Sequence, residues 1–599
     1  MNEHNNKGGL SVYIIAFMQT WGIMLVSDIA IRNPLSLLIF VAAIFTGHKI
    51  IELDTEGYYR QKSVIITAIF FAAATLIAGN RDYTASYDSA LFKALVLICV
   101  AVSMFMVYRS AMTGLLIVLN KIKKADKTEP AWLNKLYASL DKVSLFKHPL
   151  ITTMIVCLVC WLPYFLYEFP GIMSADSLNQ FEQALFIKPW SNHHPVVHTL
   201  FIYLFYHIGL IITGDRITAI SFYTVAQMIF MSYCAGRVVR TMHKYDVARW
   251  FRIVTIIFYA LVPFNAVMSV IMWKDVPFAG ITSLFICCIV DILHELQKPD
   301  GGTWSLMLQL RFYIVGIMFC LFRTNAWYAF IIFAICMLYV FRRQLKKVSL
   351  PIILVVISVI MIKGPVMNIA GIEQPDFVES LSVPLQQVAR VLVDDKDLTD
   401  SELELIDKVI DRTYIKQLYA ADFADNIKEL VRAGQPEYLE AHKFEYFKLW
   451  LSLGIRYPGA YLNAWSELTR GFWYPNISYE VATIDGIMNN DLGIYSIPII
   501  GGKFVKVKEV LIKLGSFLPI YGLIWSAGTY CWLLVIELGI IFSSLYRNDK
   551  WKAILIIMPC IALELTLFIA TPVVDFRYIY GIVLSAPLWL SIIYKYMME

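Results

Sequence analysis

The stretch FPGIMSADSLNQFEQALFIKPWSNHHPVVH, from Phe169 to His198, decides how this chain is read. It follows an apolar run, 149–168, of a length that crosses a bilayer. It gathers Asp176, Glu182, His193, His194 and His198 in a sequence that is otherwise 58% hydrophobic. Ionisable groups just outside a membrane span are seldom needed to hold helices together. They more often serve a reaction or a ligand at the membrane surface.

Outward from this stretch, the composition is that of a membrane protein. The 599 residues have a mean hydropathy of +0.62 and only 16% charged residues, where a soluble domain carries about 25%. A hydrocarbon core of roughly 30 Å asks for about 20 apolar residues per helix. Fourteen such segments lie near 10–30, 33–49, 63–79, 90–108, 149–168, 217–237, 250–269, 276–295, 310–323, 325–341, 348–366, 517–543, 553–571 and 578–594. The expected class is a mainly α, polytopic helical membrane protein. Aromatic residues such as Trp161, Tyr164 and Tyr167 suit the interfacial belts. The first run reads as a signal anchor, because further spans follow it. All ten cysteines fall in or beside apolar runs. Cys157-x-x-Cys160 has a redox or metal spacing, but inside a span it reads as two small packing residues.

Basic loops set the orientation. Lys121, Lys123, Lys124, Lys127, Lys135, Lys142 and Lys147 precede the fifth span. Arg237, Arg240, Lys244, Arg249 and Arg252 follow the sixth. Arg342, Arg343, Lys346 and Lys347 follow the tenth, and Arg547, Lys550 and Lys552 the twelfth. If all these are cytoplasmic, the chain is a multi-pass protein of the cell membrane with both termini inside. The apolar helix at 196–213 then cannot be an ordinary crossing, since counting it would put the 237–252 cluster outside. It is expected to lie along, or dip into, the outer face.

The expected organisation is a four-span module (1–110), a basic cytoplasmic linker (111–148) and a membrane core (149–366) with a first outer loop at 169–216. An outer helical domain (367–516) and a three-span bundle (517–599) follow. In the outer domain, PLQQVARVL from Pro384 is amphipathic. Thr399-x-x-Glu402 reads as a capping box ahead of LELIDKVI. A second helical pattern covers 437–453, with loops expected at Pro436, Pro458 and Pro475. Asn476-Ile477-Ser478 matches a glycosylation sequon, too common to weigh.

Several residues invite chemistry. Asp176 can act as a general base on a hydroxyl or hold a divalent cation; alternatively it caps a short helix over 177–186. His194 and His198 are spaced to share a helix face if Pro195 is its first residue. Such a pair binds a metal, with Asp176 as a possible third ligand, or a phosphate when protonated. Interfacial histidines satisfied by backbone or water are the plainer reading. Trp273-Lys274-Asp275 fills a short outer turn, where Asp275 supplies a second carboxylate or simply pairs with Lys274. Arg323 interrupts FCLFRTNAWYAF, and Arg577 stands beside Asp575 in VVDFRYIY. A guanidinium at the interface wants a phosphate or carboxylate; for Arg577 a salt bridge to Asp575 is the simple alternative. Glu537 and Glu564, within the last three spans, can form a proton or ion path or make packing hydrogen bonds. No Gly-rich phosphate loop, Walker motif or dinucleotide fingerprint occurs, and nothing marks a nucleic-acid partner.

FPGIMSADSLNQ, SNHHPVVHTLF, WKD, RTNAW, PLQQVAR and the terminal FRYIY together resemble a family of uncharacterised polytopic proteins from Gram-positive bacteria. That family is similar to membrane glycosyltransferases of the GT-C fold, such as protein mannosyltransferases and aminoarabinose transferases. The resemblance covers about residues 147–599. It implies a polyprenyl-phosphate-linked hexose or pentose as donor, and transfer on the outer face to a cell-envelope acceptor. Asp176 takes the catalytic acidic place in the first outer loop, and Asp275 the second acidic position. Arg323, Arg577 and His194 are implied as ligands of the donor phosphate, with His193, His198, Lys274 and Glu182 nearby. Asp176 would accept the acceptor's proton while the hydroxyl displaces the lipid phosphate with inversion. Trp473 and Tyr474 would stack on sugar or pack in the core. The chain departs from the pattern in lacking a tandem acidic pair, in carrying His193-His194-Pro195, and in its four leading spans. Metal use stays open. The competing expectation is a transporter or flippase of a lipid-linked precursor that uses Glu537 and Glu564.

Overall fold

A computed structural model describes residues 9–30, 32–125, 147–296, 304–475, 485–517 and 519–599. The sequon at 476–478 and Lys127, Lys135 and Lys142 lie outside the described residues. The chain begins with α1 (Gly9–Val26), α2 (Leu35–Leu53), α3 (Lys62–Thr84) and α4 (Ala90–Lys124). Next come α5 (Pro149–Tyr167), the short α6 (Ala175–Ala184), α7 (Val196–Thr213), α8 (Arg216–Lys244), α9 (Arg249–Leu261) and α10 (Pro263–Val270). Helices α11 (Asp275–Leu296), α12 (Leu306–Phe322), α13 (Thr324–Val340) and α14 (Leu345–Met361) complete the middle of the chain. Beyond them lie α15 (Ser382–Val393), α16 (Lys443–Arg456), α17 (Pro458–Trp473) and α18 (Lys503–Phe517). The chain closes with α19 (Ala527–Phe542), α20 (Lys550–Ala570) and α21 (Phe576–Met598). Among the described residues there is no strand, only isolated bridges.

The protein is therefore a mainly α, polytopic membrane protein. Each of the expected apolar segments holds a helix. Ten helices, or eleven with the bent pair α9 and α10 taken as one span, are long and apolar enough to cross a bilayer among the described residues. Helices α1, α12, α13 and α19 are apolar but shorter. Large apolar side chains such as Leu37, Leu38, Ile66 and Ile211 stand exposed on these helices, as they do when the surrounding solvent is lipid.

Helix α7 is long and apolar enough to be a span. Near its start His198 meets Tyr223 of α8 at 2.6 Å. Near its end Gly209 lies so close to α8 that a Cβ there would sit 2.8 Å from the Ala219 carbonyl oxygen. Both ends thus stay beside the first third of α8. The far end of α8 is elsewhere: Lys244 and Tyr245 both bond Asp291, at the far end of α11, at 2.6 Å.

Contacts divide the chain into two units. One comprises 1–130, 531–554 and 593–599; the other comprises 131–530 and 555–592. The C-terminal bundle expected as one piece is thus shared between them. In the first unit Phe71 packs on Trp532 with ring centroids 4.4 Å apart. In the second, α11 is the axis, with nearly every side chain buried. Its small residues make this possible, since close helix approach replaces hydrophobic exclusion within lipid. A Cβ on Gly280 would lie 2.9 Å from Cys234 Sγ of α8. All ten cysteines are free.

The 373–473 segment folds as short helices around a core that includes Leu385, Ala389, Ile406, Ile427, Leu449 and Leu453. The capping box forms as read: Thr399 Oγ1 accepts from Glu402 N–H, and Glu402 Oε2 from Thr399 N–H at 2.9 Å. Pro436 and Pro458 are not loop residues. Each opens a helix, where proline's fixed φ is favourable and its missing N–H is not needed. Trp473 is buried and stacks on Trp465 at 5.4 Å, so it packs rather than presenting a face.

Candidate functional site

Four chain segments converge at one end of α11, the end remote from the Lys244 and Asp291 contact. The exit of α5 runs extended through 168–173. Ile172 N–H donates to Val270 O, and Met272 N–H to Ile172 O, both at 2.9 Å. On the other side Met173 N–H donates to Gly486 O, and Met488 N–H to Met173 O. Gly171 permits this crossing: its φ is +147°, and a Cβ would meet Thr224 Oγ1 at 2.4 Å. These strips aim the start of α6 and the 271–275 turn at each other.

Asp176 is not the helix cap. Ser174 holds that position, and Ser177 Oγ accepts from Ser174 N–H at 3.2 Å. Ser177 also donates to Met272 O at 2.8 Å, and Trp273 Nε1 donates to Ser174 Oγ at 2.7 Å. With capping assigned to serines, Asp176 is left to reach Arg577, whose Nη1 donates to its Oδ2 at 2.7 Å. Arg577 Nε also lies 2.9 Å from Asp575 Oδ2, and its guanidinium sits over the Trp273 ring at 4.8 Å. The salt bridge to Asp575 is present, and Arg577 pairs as well with the acid of the 169–198 stretch.

Asp275 and Arg323 form the second pair, Nε to Oδ1 at 3.1 Å. Arg323 also donates to Tyr578 O at 3.0 Å and lies over the Tyr578 ring at 4.8 Å. The two pairs differ in access. The side chain of Asp275 is 1% exposed and that of Asp176 is 38% exposed. Lys274 does not simply pair with Asp275. Its Nζ donates to His194 Nδ1 at 3.0 Å.

The electrostatics follow from this packing. Burial pushes Asp176 up, but Arg577 and Lys274 outweigh it and bring its pKa down to about 2. Burial, with Lys274 beside it, brings His194 down to about 2, so the ring is neutral and accepts from Lys274. Burial also lowers Lys274, opposed by Asp275 and Asp176. Asp575 moves the other way: burial raises it despite Arg577.

The remaining candidates are placed elsewhere. Helix α7 starts at Val196, and Pro195 precedes it with an extended ψ of 120°. A residue before proline is steered away from helical geometry, so His194 and His198 do not share a helix face. His198 is fully buried, with Nδ1 2.8 Å from Gln180 Oε1 and Nε2 2.6 Å from Tyr223 Oη. His193 faces Glu379 at 3.7 Å, and Glu182 pairs with Lys188 at 2.5 Å. Asp176, His194 and His198 therefore make no ligand set. Among the described residues no group of three or more His, Cys, Asp or Glu is placed to hold a metal ion.

Sequence reasoning passed over Glu168 and Lys508. Glu168 Oε2 accepts from Gly486 N–H at 2.8 Å, and Lys508 Nζ lies 3.2 Å from Oε1. Burial raises Glu168 to about 7 against the pull of Lys508 and that N–H. A carboxylate at a span exit was visible in YEFPG. Its partner, over three hundred positions away at Lys508, had no local signal.

Fold and site thus define a polytopic helical membrane protein with a compact cluster of acids and bases where α5, α11, α12 and α21 meet. The chain belongs to DUF6020, a family of unknown function, which matches residues 186–596. No curated protein and no solved structure matches it. The match includes His194, Lys274, Asp275, Arg323 and Arg577, and begins after Asp176.

Proposed function

We propose that this protein is a membrane glycosyltransferase that moves a hexosyl or pentosyl unit from a polyprenyl-phosphate donor to a cell-envelope acceptor on the outer face. The observation that carries this reading is the half-open Asp176 and Arg577 pair beside the sealed Asp275 and Arg323 pair. A donor phosphate entering from the open side competes with Asp176 for Arg577. Charge-assisted bonds of guanidinium to phosphate are strong enough for that exchange. Asp176, relieved of Arg577, becomes a better base. It takes the proton of the acceptor hydroxyl, whose oxygen attacks the anomeric carbon. The bond from that carbon to the phosphate oxygen breaks, and polyprenyl phosphate leaves with its negative charge held by Arg577 and Lys274. One displacement inverts the anomeric centre. Asp275 and Arg323 position this site rather than react. Placing the basic loops in the cytoplasm sets the cluster outside.

The test is transfer of label from radiolabelled polyprenyl-phospho-hexose to a crude envelope acceptor in liposomes. Wild type transfers, and a folded Asp176→Asn does not. Wild type that transfers from no donor, or Asp176→Asn that transfers normally, ends the proposal.

A second reading, transport or flipping of a lipid-linked precursor, rests on Glu564. It is buried in α20, and among the described residues neither carboxylate oxygen has a hydrogen-bond partner. Flux of label across the bilayer without bond cleavage, lost in Glu564→Gln or Glu537→Gln, would favour this reading.

A further inference from the structure

Helix α18, KFVKVKEVLIKLGSF, lies at the membrane boundary. Phe504 packs edge-on against Tyr164 and also against Tyr167, with centroids 5.0 and 6.0 Å away. Both tyrosines belong to the last turn of α5, and ring residues at a span end mark the interface. One turn further along α18, Lys508 turns inward to Glu168 and is 4% exposed. Phe504 and Lys508 are four residues apart, so together they fix the roll of the helix.

That roll leaves a defined outward stripe. Lys503, Lys506, Val507 and Val510 are all exposed, and their spacing places them along one side of the helix. Val507 is 52% and Val510 57% exposed. Two bare valines beside lysines suit neither water nor a packed core. They suit a headgroup layer, where the valines enter the acyl boundary and the lysine stems lie along it with their ammonium groups at phosphate.

We propose that this stripe docks on anionic phospholipid headgroups of the leaflet that meets the charge cluster. The site is separate from that cluster and does not depend on the glycosyltransferase reading. Two observations argue for lipid. The stripe is continuous with the boundary of a spanning helix, and Lys503 and Lys506 are complementary in charge to phosphate, with the exposed Glu509 at the edge of the stripe. The buried Lys508 and Glu168 pair would present the stripe in a fixed orientation.

The test uses the full chain in nanodiscs of phosphatidylcholine with and without phosphatidylglycerol. An environment-sensitive dye is attached at Val510→Cys, with the exposed Cys99 changed to Ser. The dye should report an apolar setting, be quenched by headgroup-proximal spin labels, and shift further when phosphatidylglycerol is present. Mass spectrometry of retained lipid should show phosphatidylglycerol enrichment. Each lysine near an anionic surface contributes roughly a fivefold preference, so Lys503→Gln with Lys506→Gln should lower enrichment by about 25-fold. Lys503→Arg with Lys506→Arg should restore it, which separates charge loss from misfolding. A water-exposed dye in both discs, or a double glutamine variant with wild-type enrichment, overturns the proposal. Protection of the lysines by soluble polyphosphate but not by phosphatidylglycerol overturns it too.

Discussion

Asp275→Asn should destabilise the protein strongly, and for a reason that can be separated from chemistry. The carboxylate is 1% exposed, and Arg323 Nε lies 3.1 Å from it. Neither Asp275 oxygen takes part in a well-directed hydrogen bond, so the contact is chiefly one of charge. At an effective dielectric of about 20, unit charges at that separation attract by roughly 5 kcal/mol. Desolvation of both groups offsets much of this, so the pair itself stabilises little. Removing one partner is different, because the other stays buried and uncompensated, at a cost of about 3–5 kcal/mol. Arg323→Met should cost a similar amount. The pair Asp275→Asn with Arg323→Met should lose far less than the sum, with a coupling of roughly 2–3 kcal/mol. Unfolding in mixed micelles, followed by tryptophan fluorescence, measures all four proteins. Transfer activity is then read on the stable double variant. Single variants within about 0.5 kcal/mol of wild type, or strictly additive losses, would refute the sealed-pair argument.

Other outcomes follow from the same geometry. Arg577→Gln removes the strongest influence holding Asp176 down in the free enzyme, so the acid limb of kcat/KM for transfer should move to higher pH; an unmoved limb would show that Asp176 does not set it. Glu168 titrates near 7 when folded and near 4.5 otherwise, so the native state binds more protons between those values. The contact between 486–499 and 166–173 should therefore loosen as pH rises from about 4.5 to 7. Amide exchange of that segment, corrected for intrinsic rates, checks this, and Glu168→Gln should flatten the dependence. Gly171→Ala places a methyl against Thr224 Oγ1 at a backbone angle that favours glycine. It should lower stability by about 1–3 kcal/mol, measured as above, whereas Gly214→Ala, with open space around it, should cost less.

What the sequence made legible was what depends on periodicity and composition. Apolar runs located the helices. The WKD turn, Arg323, Arg577 and Asp176 were all singled out, because charge next to a span is conspicuous. Their pairing was not legible. Nothing local says that Asp176 meets Arg577, 401 positions away, or that Lys274 turns from its neighbour Asp275 to His194. The errors were errors of a single turn. Pro195 was placed inside α7 when it precedes it, and that one step removed the supposed histidine pair. Asp176 was weighed as a cap, a role held by Ser174 two residues earlier.

The charge count of the cluster adds a constraint on how it can work. Asp176, Asp275 and Asp575 face Lys274, Arg323 and Arg577, with His194 neutral, so acids and cations balance. An anion can enter only by displacing a carboxylate or by bringing a proton. Asp275 is sealed with Arg323. Asp176 and Asp575 share Arg577, and their surroundings drive them apart, Asp176 down and Asp575 up. A phosphate on Arg577 therefore leaves two acids with unequal fates. Asp575, already raised, takes up a proton most readily and relieves the excess negative charge. Asp176, lowered until then, rises toward an ordinary carboxylate without losing its ionised form. The order matters for the chemistry proposed: the base becomes competent only when the donor is in place. Asp575→Asn should accordingly weaken the pH dependence of donor binding while leaving turnover at saturating donor largely intact, whereas Asp176→Asn should remove turnover and leave donor binding as tight or tighter. Donor binding weakened by Asp176→Asn would contradict the exchange on Arg577 and with it the coupling of binding to base strength.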